Sequence, residues 1–111
     1  MKNLMTVLIL SFAAPAIAAH QDAAATRDYT YLCEITKMMN SLSQRPAFKG
    51  EEASLATARA KMLESVVETD GLKSALAAVA SAEPKERGKL LHQSAKDAGL
   101  KNWNCSALRK F

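Results

Sequence analysis

Residues 97–111 read D-A-G-L-K-N-W-N-C-S-A-L-R-K-F, and the fold follows from what this stretch has to reach. Gly99 lacks a Cβ and can take the left-handed conformation that closes a helix. Leu100 then falls on the position that folds back against the last turn. Asn102 or Asn104 is placed to cap a short final turn running through Leu108. Trp103, the sole tryptophan, and Leu108 are expected to cover the end of a core. Cys105 stands between them, and the one other cysteine is Cys33. A bond between Cys33 and Cys105 would fasten the end of the chain across the domain to its first helix.

Whether that bond forms depends on compartment, and the other end of the chain speaks to it. Lys2 gives a short positive start, Leu4 to Ala14 is an apolar run, and A-P-A-I-A-A follows. These are the three regions of a secretory signal peptide. The run is shorter than the about 20 residues a membrane span needs. Cleavage is expected after Ala18, or failing that after Ala19. Residues 1–18 are then a leader, and residues 19–111 form a single domain with one modest core. No cysteine lies near the cleavage site to take a lipid. The short leader points to a bacterial exporter and to a periplasmic or secreted product. Two cysteines in an exported chain form a disulfide more often than not, the alternative being a pair of buried thiols.

Between the leader and the final stretch the chain is alanine-rich and poor in aromatics, and no segment alternates like a strand. A first helix is expected from about Ala23 to Ser43, capped by Asp22 or Thr26 and stopped by Pro46. Its core stripe is Leu32, Ile35, Met39 and Leu42, flanked by Tyr29 and Thr36, with Cys33 at the edge. A second is expected over Glu51–Thr69, with Leu55, Ala58, Met62 and Val66 inward, Leu63 and Val67 widening the stripe, and Arg59 outside it. After the Asp70-Gly71 turn, a third covers Leu72–Ser81, with Asp70 as its cap. A fourth starts at Pro84, a residue suited to the first helical position, and runs to about Ala98 with Leu90, Leu91, Ser94, Ala95 and Ala98 inward. Gly88 should weaken it by roughly 1 kcal/mol relative to alanine. The connections are short. The expected fold is all-α: a compact bundle of about four helices, with one disulfide joining the first helix to the C-terminal segment.

The ending A-G-L-K-N-W-N-C-S-A-L follows a proline-started helix and answers a cysteine in the first helix. In this it resembles small exported helical proteins of Gram-negative bacteria that carry a GL-x-x-W-x-C ending. The likeness rests on Gly99, Leu100, Trp103 and Cys105 together with Cys33. It implies an exported helical domain and carries no assigned activity and no functional residue.

The sequence supports little catalysis. No nucleophile elbow, phosphate-cradling loop, haem-attachment motif or calcium loop is present. His92 reads as a surface or boundary histidine. His20 would pair its imidazole with a free amine if the leader were cut after Ala19, which suits copper. No cofactor is implied.

The chain carries a formal charge of +4, and the stretch Lys85–Phe111 holds seven basic residues against two acidic ones. Export separates such a surface from cytoplasmic nucleic acid, so the expected partner is an envelope or secreted protein. The candidate contact residues are Tyr31, Phe48, Lys85, Arg87, Lys89 and Lys96. The first expectation is therefore a non-catalytic protein-binding domain, as an inhibitor, an immunity protein or a chaperone-like protein would be. The alternative is a small-ligand or lipid carrier with a cavity lined by Met39, Met62, Leu63 and Leu76. A third reading is copper handling through His20.

Overall fold

The computed structural model describes the backbone of residues 2–111 and the side chains of residues 23–111. The helices are α1 (Lys2–Ser43), α2 (Glu52–Val66), α3 (Asp70–Ala80) and α4 (Pro84–Asp97). Short 3-10 turns cover Pro46–Phe48 and Ser106–Lys110. Among the described residues there is no strand. No helix among them is long and apolar enough to cross a membrane.

Helix α1 starts far before Asp22 and Thr26, so neither marks its beginning. The A-I-A-A-H-Q-D-A-A-A run contains no glycine or proline, and alanine is the strongest helix former, so nothing interrupts the backbone there. The leader residues, their cleavage site and His20 lie outside the residues whose side chains are described.

Two helix pairs make the body: α1 packs on α2, and α3 packs on α4. The terminal turn touches both α1 and α4 and ties the pairs together. The shared core is Tyr29, Leu32, Ile35 and Met39 of α1, Leu63 of α2 with Val67 just beyond it, Leu72 and Val79 of α3, and Leu91 and Ala95 of α4, closed by Cys105 and Leu108. Leu63 and Val67 are the buried centre of the α2 face, while Leu55, Ala58, Met62 and Val66 are only partly covered. Leu90 is turned out and 39% exposed, because Leu91 and Ala95, one turn apart, take the inward face of α4.

Helix α2 stops at Val66, short of Thr69, and α3 begins at Asp70, ahead of Leu72. A buried carboxylate sets this junction. Asp28 of α1 is fully buried. Its oxygens accept from the backbone N–H of Glu68 at 3.1 and 3.2 Å, and from the N–H and hydroxyl of Thr69 at 2.7 Å each. The chain is thereby held extended at Thr69, the residue that precedes α3. Asp70 lies inside the first turn of α3 and does not cap it. The negative charge also lies near the positive end of the α3 dipole.

Helix α4 closes as its glycine requires. Gly99 has φ +98°, the N–H of Leu100 reaches the carbonyl of Ala95 at 2.9 Å, and the N–H of Gly99 reaches that of Lys96 at 3.0 Å. Both bonds of a Schellman closure are present. Cys105, not Asn102 or Asn104, directly precedes the final turn. Cys105 is bonded to Cys33 with the Cα atoms 5.8 Å apart, so the staple joins α1 to the C-terminal segment.

Candidate functional site

The helix pairs meet through the core, but α2 and α3 stand apart on the outer side. A cleft of about 810 Å³ runs between them. Leu63 and Val67 line it from the α2 side, and Leu76, Ala77, Val79 and Ala80 from α3. Leu63, Val67 and Val79 are core residues, so the floor is apolar because the core is. Arg59, Arg87 and Phe111 also line it, as do Lys73 and Glu64.

Arg59 stands four residues before Leu63 and eight before Val67, so it continues the most buried row of α2. Its guanidinium lies over the Phe111 ring, with Cζ 3.7 Å from the centroid, and its Nη2 donates to the main-chain oxygen of Phe111 at 3.3 Å. Its Nε–H is buried and meets no acceptor. Burial, and after it the like charge of Arg87, pulls the Arg59 pKa below its ordinary value. Arg87 donates from Nε to the carbonyl of Ala82 at 3.3 Å. Ion pairs elsewhere join Arg27 to Glu68, Glu34 to Lys37 and Glu86 to Lys89. Among the described residues, no aspartate or glutamate side chain pairs with Arg59, Arg87 or Lys73.

The residues singled out from sequence are scattered by comparison. Of the candidate partner-contact residues, Arg87 alone reaches this cleft. Tyr31 is 43% exposed on α1. Phe48 is half-buried in the first 3-10 turn and is not packed on the core. Lys85, Lys89 and Lys96 are exposed, and Lys89 faces Glu86 at 3.9 Å. Of the residues proposed to line a cavity, Leu63 and Leu76 do so. Met39 is buried in the core, and Met62 is packed against it, so neither lines this cleft.

His92 has a structural place that its sequence position did not suggest. Its Nε2 accepts the backbone N–H of Cys105 at 3.1 Å, which leaves the proton on Nδ1 to reach the carbonyl of Gly88 at 2.9 Å. The ring packs on Trp103 with centroids 5.3 Å apart, and Trp103 meets Tyr29 edge-on at 5.4 Å. This histidine therefore orders the disulfide segment. Among the described residues, no three histidines, cysteines or acids gather where a metal ion could sit.

Arg59 and Asp28 were the residues that sequence reasoning passed over. The row Arg59–Leu63–Val67 was a usable signal for the first. Nothing local signalled the second. No protein-family model, curated protein or solved structure matches this chain.

Proposed function

We propose that the protein is an exported, non-catalytic binding domain that carries a small apolar or amphipathic ligand in the α2–α3 cleft. One observation carries this reading: the cleft is concave, walled by aliphatic side chains, and has a few polar groups converging on it. Its volume lies within the roughly 300–1,000 Å³ common for small-molecule sites. The basic face of α4, by contrast, offers only a smaller hollow of about 320 Å³ at Lys85, Lys89, His92 and Arg109, with no aliphatic wall. Export, to the periplasm or the medium, rests on the leader pattern at residues 1–18 and agrees with the Cys33–Cys105 bond.

Titration with a neutral fluorescent apolar probe tests the reading. Saturable binding at one probe per chain is expected. Ala77 and Ala80 are exposed residues of the cleft wall, so Ala77→Trp or Ala80→Trp should block the probe and leave the fold intact. Unchanged probe binding in both tryptophan variants would remove the cleft from consideration. Subcellular fractionation, with intact-mass measurement of the recovered protein, tests export and places the cleavage site.

A second reading, an envelope-protein partner, has one specific support. Tyr31 and Met38 are 43% and 42% exposed, and two helical turns apart they share one face of α1. Loss of a stoichiometric partner on Tyr31→Ser with Met38→Ser would favour it.

A further inference from the structure

We propose that the ligand of the α2–α3 cleft is a single-chain amphiphile with an anionic oxygen head, a long-chain carboxylate being its simplest form. Its head lies between Arg59 and Arg87, and its chain runs along Leu63, Val67, Leu76 and Val79. This deepens the carrier reading and rests on it.

The charge balance of the cleft selects the head group. Arg59, Arg87 and Lys73 line it against a single acidic side chain, Glu64. Glu64 is itself exposed, and among the described residues no aspartate or glutamate side chain forms an ion pair with any of the three cations. Two like charges face the same apolar wall, and burial already disfavours the charge on Arg59. An anion entering between them would relieve both effects. A neutral ligand would relieve neither.

The hydrogen-bond count points the same way. The Nε–H of Arg59 is buried without an acceptor, and an orphaned buried donor is unfavourable. The guanidinium is pre-positioned by its stack on Phe111 and its bond to the Phe111 oxygen. A guanidinium held in one plane matches the two oxygens of a carboxylate, or two of a phosphate, in bidentate fashion. Leu63, Val67, Leu76 and Val79 offer aliphatic carbon, which suits an alkyl chain.

The test is calorimetric titration of the full chain with dodecanoate, dodecyl phosphate, dodecanol and methyl dodecanoate below their aggregation concentrations. The wild type and the Arg59→Gln, Arg87→Gln and Arg59→Lys variants are compared, each checked for native circular dichroism. The expected result is that dodecanoate binds one per chain and about tenfold or more tighter than the alcohol or the ester. That preference should fall in Arg87→Gln, which leaves the Arg59–Phe111 stack in place, vanish in Arg59→Gln and be partly kept in Arg59→Lys; a preference unchanged in both glutamine variants would overturn the placement of the head. Tighter binding of the phosphate than of the carboxylate would keep the anionic head and assign it to a phosphate source. Equal binding of alcohol and carboxylate by the wild type overturns the inference while the carrier reading stands. Failure of the neutral probe and of all four amphiphiles overturns both.

Discussion

The carboxylate of Asp28 holds both the backbone N–H and the hydroxyl of Thr69 at 2.7 Å, across 41 residues of sequence. With Asp28 fully buried and Thr69 partly so, this contact joins α1 to the start of α3, two helices that otherwise belong to different pairs. Removing the carboxylate strands two backbone N–H groups and a hydroxyl at the junction. Asp28→Ala is expected to cost about 3 kcal/mol or more, and Asp28→Asn less, since it keeps one acceptor oxygen. Urea unfolding of the two variants checks this. A loss under about 0.5 kcal/mol for Asp28→Ala would mean that water replaces the carboxylate without penalty.

Gly88 predicts a substitution whose sign contradicts helix propensity. Alanine should stabilise the interior of α4 by roughly 1 kcal/mol. A Cβ at this position would stand 2.9 Å from the carbonyl oxygen of Leu108 and 3.4 Å from its carbon. That neighbour is backbone, held by the buried Leu108 side chain and the nearby disulfide, so it cannot swing aside. Gly88→Ala is therefore expected to destabilise by about 1–3 kcal/mol. A rise in thermal midpoint would show that the final turn moves off α4 at little cost.

The Cys33–Cys105 bond spans 72 positions. Chain-entropy reasoning for a loop of that size gives about 4 kcal/mol of stabilisation, against a typical domain total of about 5–15 kcal/mol. The double variant Cys33→Ser with Cys105→Ser is expected to lose about 2–4 kcal/mol and to loosen the final turn first. Hydrogen exchange at Cys105 to Phe111 would report that order. Uniform loss of protection across all four helices would show instead that the staple supports the whole bundle.

Tyr29 is 1% exposed, and its hydroxyl bonds to that of Ser94. Burial raises its pKa above the ordinary value, with the Ser94 bond acting in the opposite direction. The folded protein therefore holds this proton more tightly than the unfolded chain does. The resulting stability is fully present below about pH 10 and is lost as pH rises through the raised pKa. Urea midpoints should fall above about pH 10, and more steeply than in Tyr29→Phe, which cannot ionise there. Equal slopes in the two proteins would place the alkaline sensitivity elsewhere.

Much of this architecture was legible locally. Leu32, Ile35 and Met39 repeat with helical period, and all three are buried. Gly99 and Leu100 spelled out the closure of α4, and the two cysteines of an expected exported chain named their own bond. These features depend on neighbours within a turn or two, or on a choice with a single solution. The junction after α2 was misjudged because the pattern of Val66, Val67 and Thr69 allows more helix than the chain makes. The force that stops it comes from Asp28, and no local rule couples residue 28 to residue 69. Leu90 was placed inward because periodicity alone cannot rank two adjacent leucines.

The sequence by itself determined an all-α chain, the helix ends marked by proline and glycine, and a covalent link from the first helix to the final stretch. Backbone propensity and side-chain period act over a few residues and are written in order along the chain. Only the tertiary structure decided that α2 and α3 stand apart and that Arg59 and Arg87 line one apolar cleft. It alone decided that His92 orders Cys105 and that Asp28 holds Thr69. Each of those depends on how two helix pairs are set against each other. That setting follows from the fit of Tyr29, Leu63, Leu72, Leu91 and Leu108 in one core, a property of their joint packing that no single stretch contains.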